Sequence, residues 1–322
     1  MTVLVLTRPR LDAVADLVIA ELNTRGVPVH RLDPGDLPQH IAATAELSGD
    51  RVDWRGVWSG QHRDLSLEDI TAVYYRRPGP HRLAPGLSDT DARWAAVEAR
   101  AGFGGLLASL PCRWINHPHH NTIAGNSPHS LAVARRSGLE APRTLITNDP
   151  ARAREFVSSL PGRVAAYKAL GAGGPQDVDG QPMAVWTSQV HADDITDAVA
   201  LTAHQFQEWV PKRHEVRLTA VEDRLFAAEI HAGSEASRID FRRDYDALTY
   251  RVCDVPEPVA SGVRELMRTF RLRYAALDFL VRQDDAWLLV DVNPAGQYGF
   301  VPELRDPITR ALADTLQGAT RR

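Results

Sequence analysis

Cysteine is scarce in this chain, since only Cys112 and Cys253 occur among 322 residues. Two cysteines cannot build a disulfide framework, and because no CxxC pair is present, a cysteine-rich zinc site is excluded as well. Long apolar runs are also missing. The run Val3–Leu6 is too short for a signal peptide, and no segment approaches the roughly 20 apolar residues that cross a membrane. We therefore expect a cytoplasmic protein that does not insert into membranes.

The chain likewise has no excess of positive charge. It has 37 Lys and Arg against 41 Asp and Glu, a formal net charge of −4. This balance argues against a general nucleic-acid or membrane-surface binder, and we expect no nucleic-acid partner. The hydrophobic share of 44% and the charged share of 24% are those of a folded globular protein of one large or two smaller domains.

The pattern of elements indicates an α/β or α+β fold. The segment TVLVLT is typical of a buried strand, and the helical spacing that follows ends at Gly26 before a second strand, GVPVHRLD. No GxGxxG follows the first strand, so the dinucleotide-binding fingerprint is absent. A hairpin is predicted over 41–57, a strand over ITAVYYRRPGP, a helix over 89–110, and an N-terminal helix start at Ser127 and Pro128.

The most informative segment is AALDFLVRQDDAWLLVDVNPAG near the C-terminus. If Asp284 and Asp285 are the two central residues of a hairpin turn, Asp278 lies opposite Asp291. Alternation then places Asp278, Asp291 and Asn293 on one face. The opposite face carries the predicted core residues, which are Leu277, Phe279, Val281, Leu288, Val290 and Val292.

Two facing carboxylates repel each other, and neither of these two strands supplies a cation. A hard divalent cation such as Mg²⁺ would remove the conflict, with Asn293 as an additional oxygen ligand. The alternative is a solvated strand end with a different register. The run His117–His120 has no cysteine or fixed acidic partner nearby, and we interpret it as ordinary loop histidines.

With these residues in view, the chain resembles the ATP-grasp superfamily, and within it the graspetide synthetases, which form ester or amide macrocycles in ribosomal peptides. The resemblance runs through YYRRP, SGLEAPRTLITNDP, YKAL, FQEWVPKRHEVRLTAVEDRLFAAEI, DFRRD, LDFLV and VDVNPAGQYGF, in this order. It implies an N-terminal pre-ATP-grasp domain (1–114), a central lid domain (115–205) and a C-terminal ATP-grasp domain (206–322). ATP would bind between the last two.

The resemblance also implies roles for individual residues. Asp278, Asp291 and Asn293 match the metal ligands, with Asp291 where the family commonly has Glu, and Lys168 and Arg217 match cations that face the phosphates. Gln207, Glu208, Val210 and Glu215 match the adenine and ribose pocket, and the segment 171–174 matches a loop that closes over phosphates. Asp240 and Arg242 match the acceptor side of the reaction, with Arg242 among the catalytic residues. Arg76 and Arg77 are candidates for binding an acidic peptide.

The implied activity is an ATP-dependent carboxylate ligase that uses Mg²⁺, acts on the leader and core of a ribosomal precursor peptide, and forms a homodimer. One position departs from the family pattern, because Ser127 stands where a phosphate-contacting lysine is usual. Two alternatives stay open: a carboxylate–amine ligase for a free amino acid or small peptide, and a nucleotide-binding regulatory protein without turnover.

Overall fold

The structure is a computed structural model that describes residues 2–8, 12–49, 52–60, 63–171, 183 and 185–318. Four β-sheets and nine α-helices are present in these ranges. None of the helices in the described part of the chain has the length and apolar character needed to cross a membrane.

The N-terminal region is built on a parallel sheet with the strand order β2–β1–β6–β7. A small antiparallel sheet, β3–β4–β5, contains the hairpin predicted over 41–57. The elements of this region are β1 (Thr2–Thr7), α1 (Ala13–Thr24), β2 (Val29–Leu32), β3 (Ala42–Glu46), β4 (Arg55–Ser59), β5 (Asp64–Ser66), β6 (Ile70–Arg77), α2 (Asp89–Ala99), α3 (Gly105–Ala108) and β7 (Arg113–Ile115). A π-helical turn over 100–104 joins α2 to α3, so the helix predicted over 89–110 is nearly continuous.

The central region has an antiparallel sheet with the order β10–β9–β11–β8. Its elements are α4 (Pro118–Ala124), α5 (Ser127–Arg136), β8 (Thr144–Thr147), α6 (Pro150–Ser158), β9 (Ala165–Lys168), β10 (Ser188–Val190) and β11 (His204–Glu208). The N-cap of helix α5 is Asn126, one residue before the predicted Ser127. The Asn126 side chain accepts a hydrogen bond from the backbone N–H of His129. Gly138 follows the end of α5 with φ +83°, a left-handed conformation that stops the helix.

The C-terminal region has a five-stranded antiparallel sheet with the order β14–β13–β12–β15–β16. Its elements are β12 (His214–Val221), β13 (Arg224–Ala232), α7 (Glu235–Ile239), β14 (Leu248–Cys253), α8 (Glu257–Thr269), β15 (Tyr274–Val281), β16 (Trp287–Asn293) and α9 (Pro302–Gln317). Helix α9 contains Pro307 five residues after its start. Helices α5 and α8 pack on one face of this sheet over Val216, Leu218 and Leu277.

The opposite face of the C-terminal sheet meets the N-terminal region. Helix α9 packs against α1, and residues of both helices share one core with β1 and the C-terminal sheet, including Val5, Val18, Val221 and Leu312. The predicted boundaries at 114/115 and 205/206 fall inside β7 and β11. The division into three domains stays a prediction.

The β15–β16 hairpin pairs Asp278 with Asp291, which confirms the predicted pair, although the turn differs. The loop has three residues, Gln283–Asp285, closed by a hydrogen bond from the N–H of Arg282 to the carbonyl of Ala286, and Asp285 adopts φ +63°. This loop shifts the register by one residue, so that Phe279 pairs with Leu289. A bulge at the acid pair shifts it back, because one extra residue of β16 is inserted there.

The bulge corrects the predicted core face of β16. Trp287, Leu289 and Val292 pack in the core beneath α5 and α8. Val290 lines a cleft on the other face instead, and Leu288 is not part of that core cluster. Leu288 and Val290 are buried as predicted, but the predicted face was wrong because strict alternation does not continue through a bulge.

Candidate active site

A cleft of about 920 Å³ lies where the N-terminal, central and C-terminal sheets meet. The carboxyl ends of β1 and β6 form one wall, which is the edge at which open parallel sheets bind ligands. Every residue predicted for the site except Arg217 lines this cleft: Arg76, Arg77, Lys168, Gln207, Glu208, Val210, Glu215, Asp240, Arg242, Asp278, Asp291 and Asn293. Residues up to 217 positions apart in sequence therefore share one cavity.

The acid pair lies at the floor of the cleft. Asp278 on β15 is directly opposite Asp291 on β16, and the side chain of Asp278 is 15% exposed, whereas Asp291 is exposed. Burial raises the pKa of Asp278 to about 6; Arg217 opposes this shift and Asp291 adds to it. Asn293, near the end of β16, uses its Oδ1 to accept a hydrogen bond of 3.1 Å from the N–H of Ala295.

Arg217 lies just below the cleft floor, on β12. It is the cross-strand partner of Asp278, and its Nε is 3.2 Å from Oδ1 of that carboxylate. The guanidinium also lies over the rings of Phe241 and Phe300, at 5.9 Å and 5.4 Å from their centroids. Neither strand of the β15–β16 hairpin supplies a cation to the acid pair, but β12, the other neighbour of β15, supplies Arg217.

The polar atoms around Asp278 fit a divalent cation and an anionic ligand. Oδ1 of Asp278 is buried and accepts no hydrogen bond from any residue that the structure describes, and the same holds for the donors Nε and Nη1 of Arg217. Buried polar atoms without partners are uncommon in folded proteins. Two carboxylates and an amide oxygen suit Mg²⁺, and a planar guanidinium suits phosphate oxygens.

Lys168 lies at the end of β9, where it faces the acid pair across the cleft. Its Nζ donates a hydrogen bond of 2.9 Å to Oε1 of Gln207, whose Nε2 donates to Oγ1 of Thr144 at 3.0 Å. Burial lowers the pKa of Lys168, and the carboxylates of Asp291, Glu215 and Asp278 oppose this shift. The Gln207 amide is therefore oriented at both ends and holds the ammonium group in the cleft.

The predicted adenine and ribose pocket lies between the central and C-terminal sheets. Glu208 ends β11, Val210 is buried in the following linker, and Glu215 is the second residue of β12. Glu215 accepts a hydrogen bond of 2.5 Å from Nζ of Lys212, whose ammonium group is 5.9 Å from the ring centroid of Trp209. Sequence reasoning missed Lys212, although its position three residues before an acid was a usable signal.

Asp240 and Arg242 form a bidentate ion pair at the cleft rim. Nε and Nη2 of Arg242 donate to the two carboxylate oxygens of Asp240 at 2.8 and 2.6 Å. Burial would raise the pKa of Asp240, but the hydrogen bonds and charge of Arg242 hold it below its usual value. Asp240 also accepts a hydrogen bond from the N–H of Thr187, and Arg242 lies 5.9 Å from the ring centroid of Trp186. The pair therefore connects the residues just before β10 to the C-terminal region.

The two predicted substrate arginines have different surroundings. Arg76 is 2% exposed; its Nε is 3.0 Å from Asp12, and its Nη1 donates to the carbonyls of Ala295 and Gly296. Arg77 is exposed and donates to the Ala295 carbonyl at 3.3 Å. Arg76 thus connects the N-terminal sheet to the segment that follows Asn293, a contact that sequence reasoning did not predict.

Two further sequence features lie at or near this cleft. Ser127 lines it and donates a hydrogen bond of 3.3 Å to Oε1 of Gln205. Of the predicted phosphate loop, 171–174, Gly171 lines the cleft, and the rest lies outside the described residues.

The N-terminal region matches a known protein family. Residues 2–122 match the MvdD pre-ATP grasp domain. No curated protein matches the chain.

Solved structures resemble the whole chain. The macrocyclase MdnC from Microcystis aeruginosa MRC, bound with precursor peptide MdnA, is 26% identical with a TM-score of 0.87, over 99% of this chain and 100% of that chain. A RiPP-associated ATP-grasp ligase from Chryseobacterium gregarium, in complex with ADP and a leader and core peptide, is 24% identical with a TM-score of 0.90, over 100% and 99%. The ATP-grasp ligase PsnB, complexed with minimal precursor, Mg and ADP, is 19% identical with a TM-score of 0.74, over 98% of each chain.

These likenesses extend over nearly the full length of each chain. The predicted α/β ATP-grasp fold is confirmed. Residues 2–122 thus resemble an MvdD-type pre-ATP grasp domain, and the chain as a whole has the fold of the RiPP-associated ATP-grasp ligases.

Proposed function

We propose that this chain is an ATP-dependent ligase that activates Asp or Glu side chains of a ribosomal precursor peptide and closes them into ester or amide macrocycles. The observation that carries the proposal is the cleft lined by Lys168 and the Asp278–Asp291 pair, with Arg217 beside Asp278 below its floor. Its support from relatives is that MdnC is a macrocyclase bound with a precursor peptide and resembles this chain from end to end.

The reaction divides into two steps. A substrate carboxylate attacks the γ-phosphorus of ATP, the bond to the β-phosphate oxygen breaks, and ADP leaves. A Ser or Thr hydroxyl or a Lys amine of the same peptide then attacks the acyl carbon, loses its proton, and releases phosphate. The net change in the peptide is the loss of one water per ring.

Such a reaction requires charge compensation and alignment rather than a protein nucleophile. In this arrangement Arg217, paired with Asp278 below the cleft floor, would offer its guanidinium to transferring phosphate oxygens, and Lys168 would hold the nucleotide phosphates. Asp278, Asp291 and Asn293 would hold Mg²⁺, which supplies positive charge between the phosphates when bound. Gln207, Glu208, Val210 and Glu215 would surround the adenine and ribose.

The acceptor side of the cleft is assigned to Asp240 and Arg242. Arg242 of this bidentate pair lies beside the ring of Trp186, which is exposed and would offer apolar surface to a peptide. Arg77 is the exposed cation at the N-terminal wall and suits an acidic side chain. We further propose that the protein is cytoplasmic and acts as a homodimer.

The test is incubation of the purified protein with ATP, Mg²⁺ and the short Thr- and Asp/Glu-rich peptide encoded beside its gene. We expect the peptide to lose one or more waters by mass spectrometry, with matching ADP release. Asp291→Asn removes one negative charge from the proposed metal site and should strongly reduce both signals. Asp284→Asn is the matched control, because Asp284 lies in the turn of the same hairpin, outside the cleft, where it pairs with Arg282 and accepts a hydrogen bond from the N–H of Ala286.

Two outcomes would replace the proposal. ADP release with a free amino acid, but no mass loss of the peptide, would assign the chain to small carboxylate–amine ligases. Nucleotide binding without ADP release on any acceptor would support the regulatory alternative, which Ser127 favours because it provides no cation at its position in the cleft.

A further inference from the structure

Three potential metal ligands, His214, Glu229 and His231, cluster outside the cleft. His214 lies on β12, and Glu229 and His231 lie on β13. Val216 pairs with Glu229 and Glu215 with Ile230, so His214 and His231 are adjacent across the two strands. Because side chains alternate, these three residues share the sheet face opposite Glu215 and Arg217.

The ligand atoms of the three side chains lie within 4.8 Å of one another. Nε2 of His231 is 2.7 Å from Oε2 of Glu229, Nε2 of His214 is 3.9 Å from Oε1, and the two imidazole centroids are 5.2 Å apart. Neighbouring ligands of a tetrahedral Zn²⁺ are about 3.3 Å apart, given Zn–N bonds of about 2.0 Å. Rotamer-scale shifts of about 1 Å would therefore bring all three atoms to one ion.

The burial of His214 and Glu229 is typical of a defined metal site and not of a group of mobile surface side chains. His214 and Glu229 are 6% and 7% exposed, and the β-strands fix their backbones, so two of the three ligands are already oriented. The side chain of His231 is 41% exposed and gives access from solvent. We propose that His214, Glu229 and His231 form a site for a transition-metal ion of the Zn²⁺ type, separate from the proposed Mg²⁺ site.

Arg251 on β14 is the competing cation at this site. Its Nε and Nη2 donate to the two oxygens of Glu229 at 2.9 and 2.7 Å, and its side chain is 70% exposed. A carboxylate has further lone pairs, so Arg251 can remain beside a bound ion or rotate into solvent. Its positive charge nevertheless opposes an incoming cation, which makes it a residue whose removal should strengthen binding.

The experiment is a calorimetric titration of Zn²⁺ into the metal-free protein in excess Mg²⁺, which occupies oxygen-rich sites. We expect one Zn²⁺ per chain. His231→Ala should weaken this affinity by about tenfold or more, a loss typical of disturbed metal sites. Arg251→Gln should tighten it, an effect that misfolding cannot produce. With Co²⁺ as the probe, the visible absorption of a tetrahedral ion should appear in the wild type and disappear in His231→Ala.

His119→Ala is the matched control, because it removes an exposed histidine from the run His117–His120. It should leave the Zn²⁺ affinity unchanged. Equal affinities of the wild type and His231→Ala, loss of binding in His119→Ala, or weaker binding in Arg251→Gln would each overturn the site. Because the measurement needs neither ATP nor peptide, its result is independent of the proposed ligase activity.

Discussion

The molecule contains two buried arginine–aspartate pairs, one in the N-terminal region and one in the C-terminal region, and their surroundings differ. Arg76 and Asp12 connect β6 to the start of α1, whereas Arg217 and Asp278 connect two neighbouring strands of the C-terminal sheet. The closest N–O distances are 3.0 and 3.2 Å. The N–O distance therefore does not distinguish an ion pair that stabilises the fold from one that belongs to a candidate active site.

The environment of the carboxylate makes the distinction. Arg76 has additional partners in the carbonyls of Ala295 and Gly296, so its guanidinium holds two distant segments together. Asp278 instead faces a second carboxylate, Asp291, and its pKa is raised to about 6. A buried carboxylate paired with a cation stabilises an arrangement, while one that also faces a second carboxylate favours an incoming cation.

The largest expected effect is on stability, from Arg76→Met. The substitution keeps an apolar side chain of similar length but leaves Asp12 buried without its cation, which should cost about 3–5 kcal/mol of unfolding free energy. Denaturant unfolding measures this cost, and the double variant Asp12→Asn/Arg76→Met should recover part of it. If Arg76→Met kept its stability and lost only peptide binding, Arg76 would be a substrate residue, as the sequence resemblance implied.

Arg217→Met should act mainly on catalysis. Loss of one oriented donor to a transferring phosphoryl group typically reduces kcat by about 10²–10³-fold. Arg217→Lys keeps the charge but lacks the planar fork, so its kcat should be intermediate. Steady-state ADP release checks both variants, with KM for ATP as the second readout. A large rise in KM at unchanged kcat would show that Arg217 only binds the nucleotide.

Because the pKa of Asp278 is raised, the unfolding free energy of the metal-free protein should depend on pH. The folded protein binds this proton more tightly than the unfolded chain, so the stabilising contribution is complete below about pH 4 and is lost as pH rises to about 6. A shift of about two pKa units corresponds to about 3 kcal/mol at most. Unfolding curves across this range should show the decline, and Mg²⁺ should offset it above pH 6.

Asp278→Asn serves as the control for that measurement, because an amide does not titrate. Its unfolding free energy should lack this part of the pH dependence. If the wild type and Asp278→Asn showed the same pH profile, the environment of Asp278 would not differ from that of an ordinary acid.

The smallest expected effect is from Ser127→Lys, which restores the cation usual in the family. One additional charge at the cleft wall should add up to about 1 kcal/mol to ATP binding, or about fivefold in Kd. Thr90→Lys adds the same charge at an exposed position of α2 outside the cleft and should leave Kd unchanged. Equal changes in both variants would indicate a general charge effect.

Sequence reasoning identified the acid pair partly because two local irregularities cancel. The three-residue loop shifts the pairing by one, and the bulge beside Asp278 shifts it back, so the predicted partner Asp291 is correct while Phe279 pairs with Leu289. The core face of β16 was predicted wrongly for the same reason. A bulge is a local backbone choice that apolar and polar alternation does not reveal.

Residue order along the chain was sufficient for many of the strands and helices and for the resemblance to ATP-grasp ligases, because hydrophobic periodicity and helix caps are local properties. It was not sufficient for the partners of the charged groups. That Arg217 neutralises Asp278, that Arg76 is buried against Asp12, and that His214 meets His231 all depend on which strands and segments become neighbours. Such neighbours are selected by packing of the whole chain, since ion pairs form between residues that are close in space and often distant in sequence.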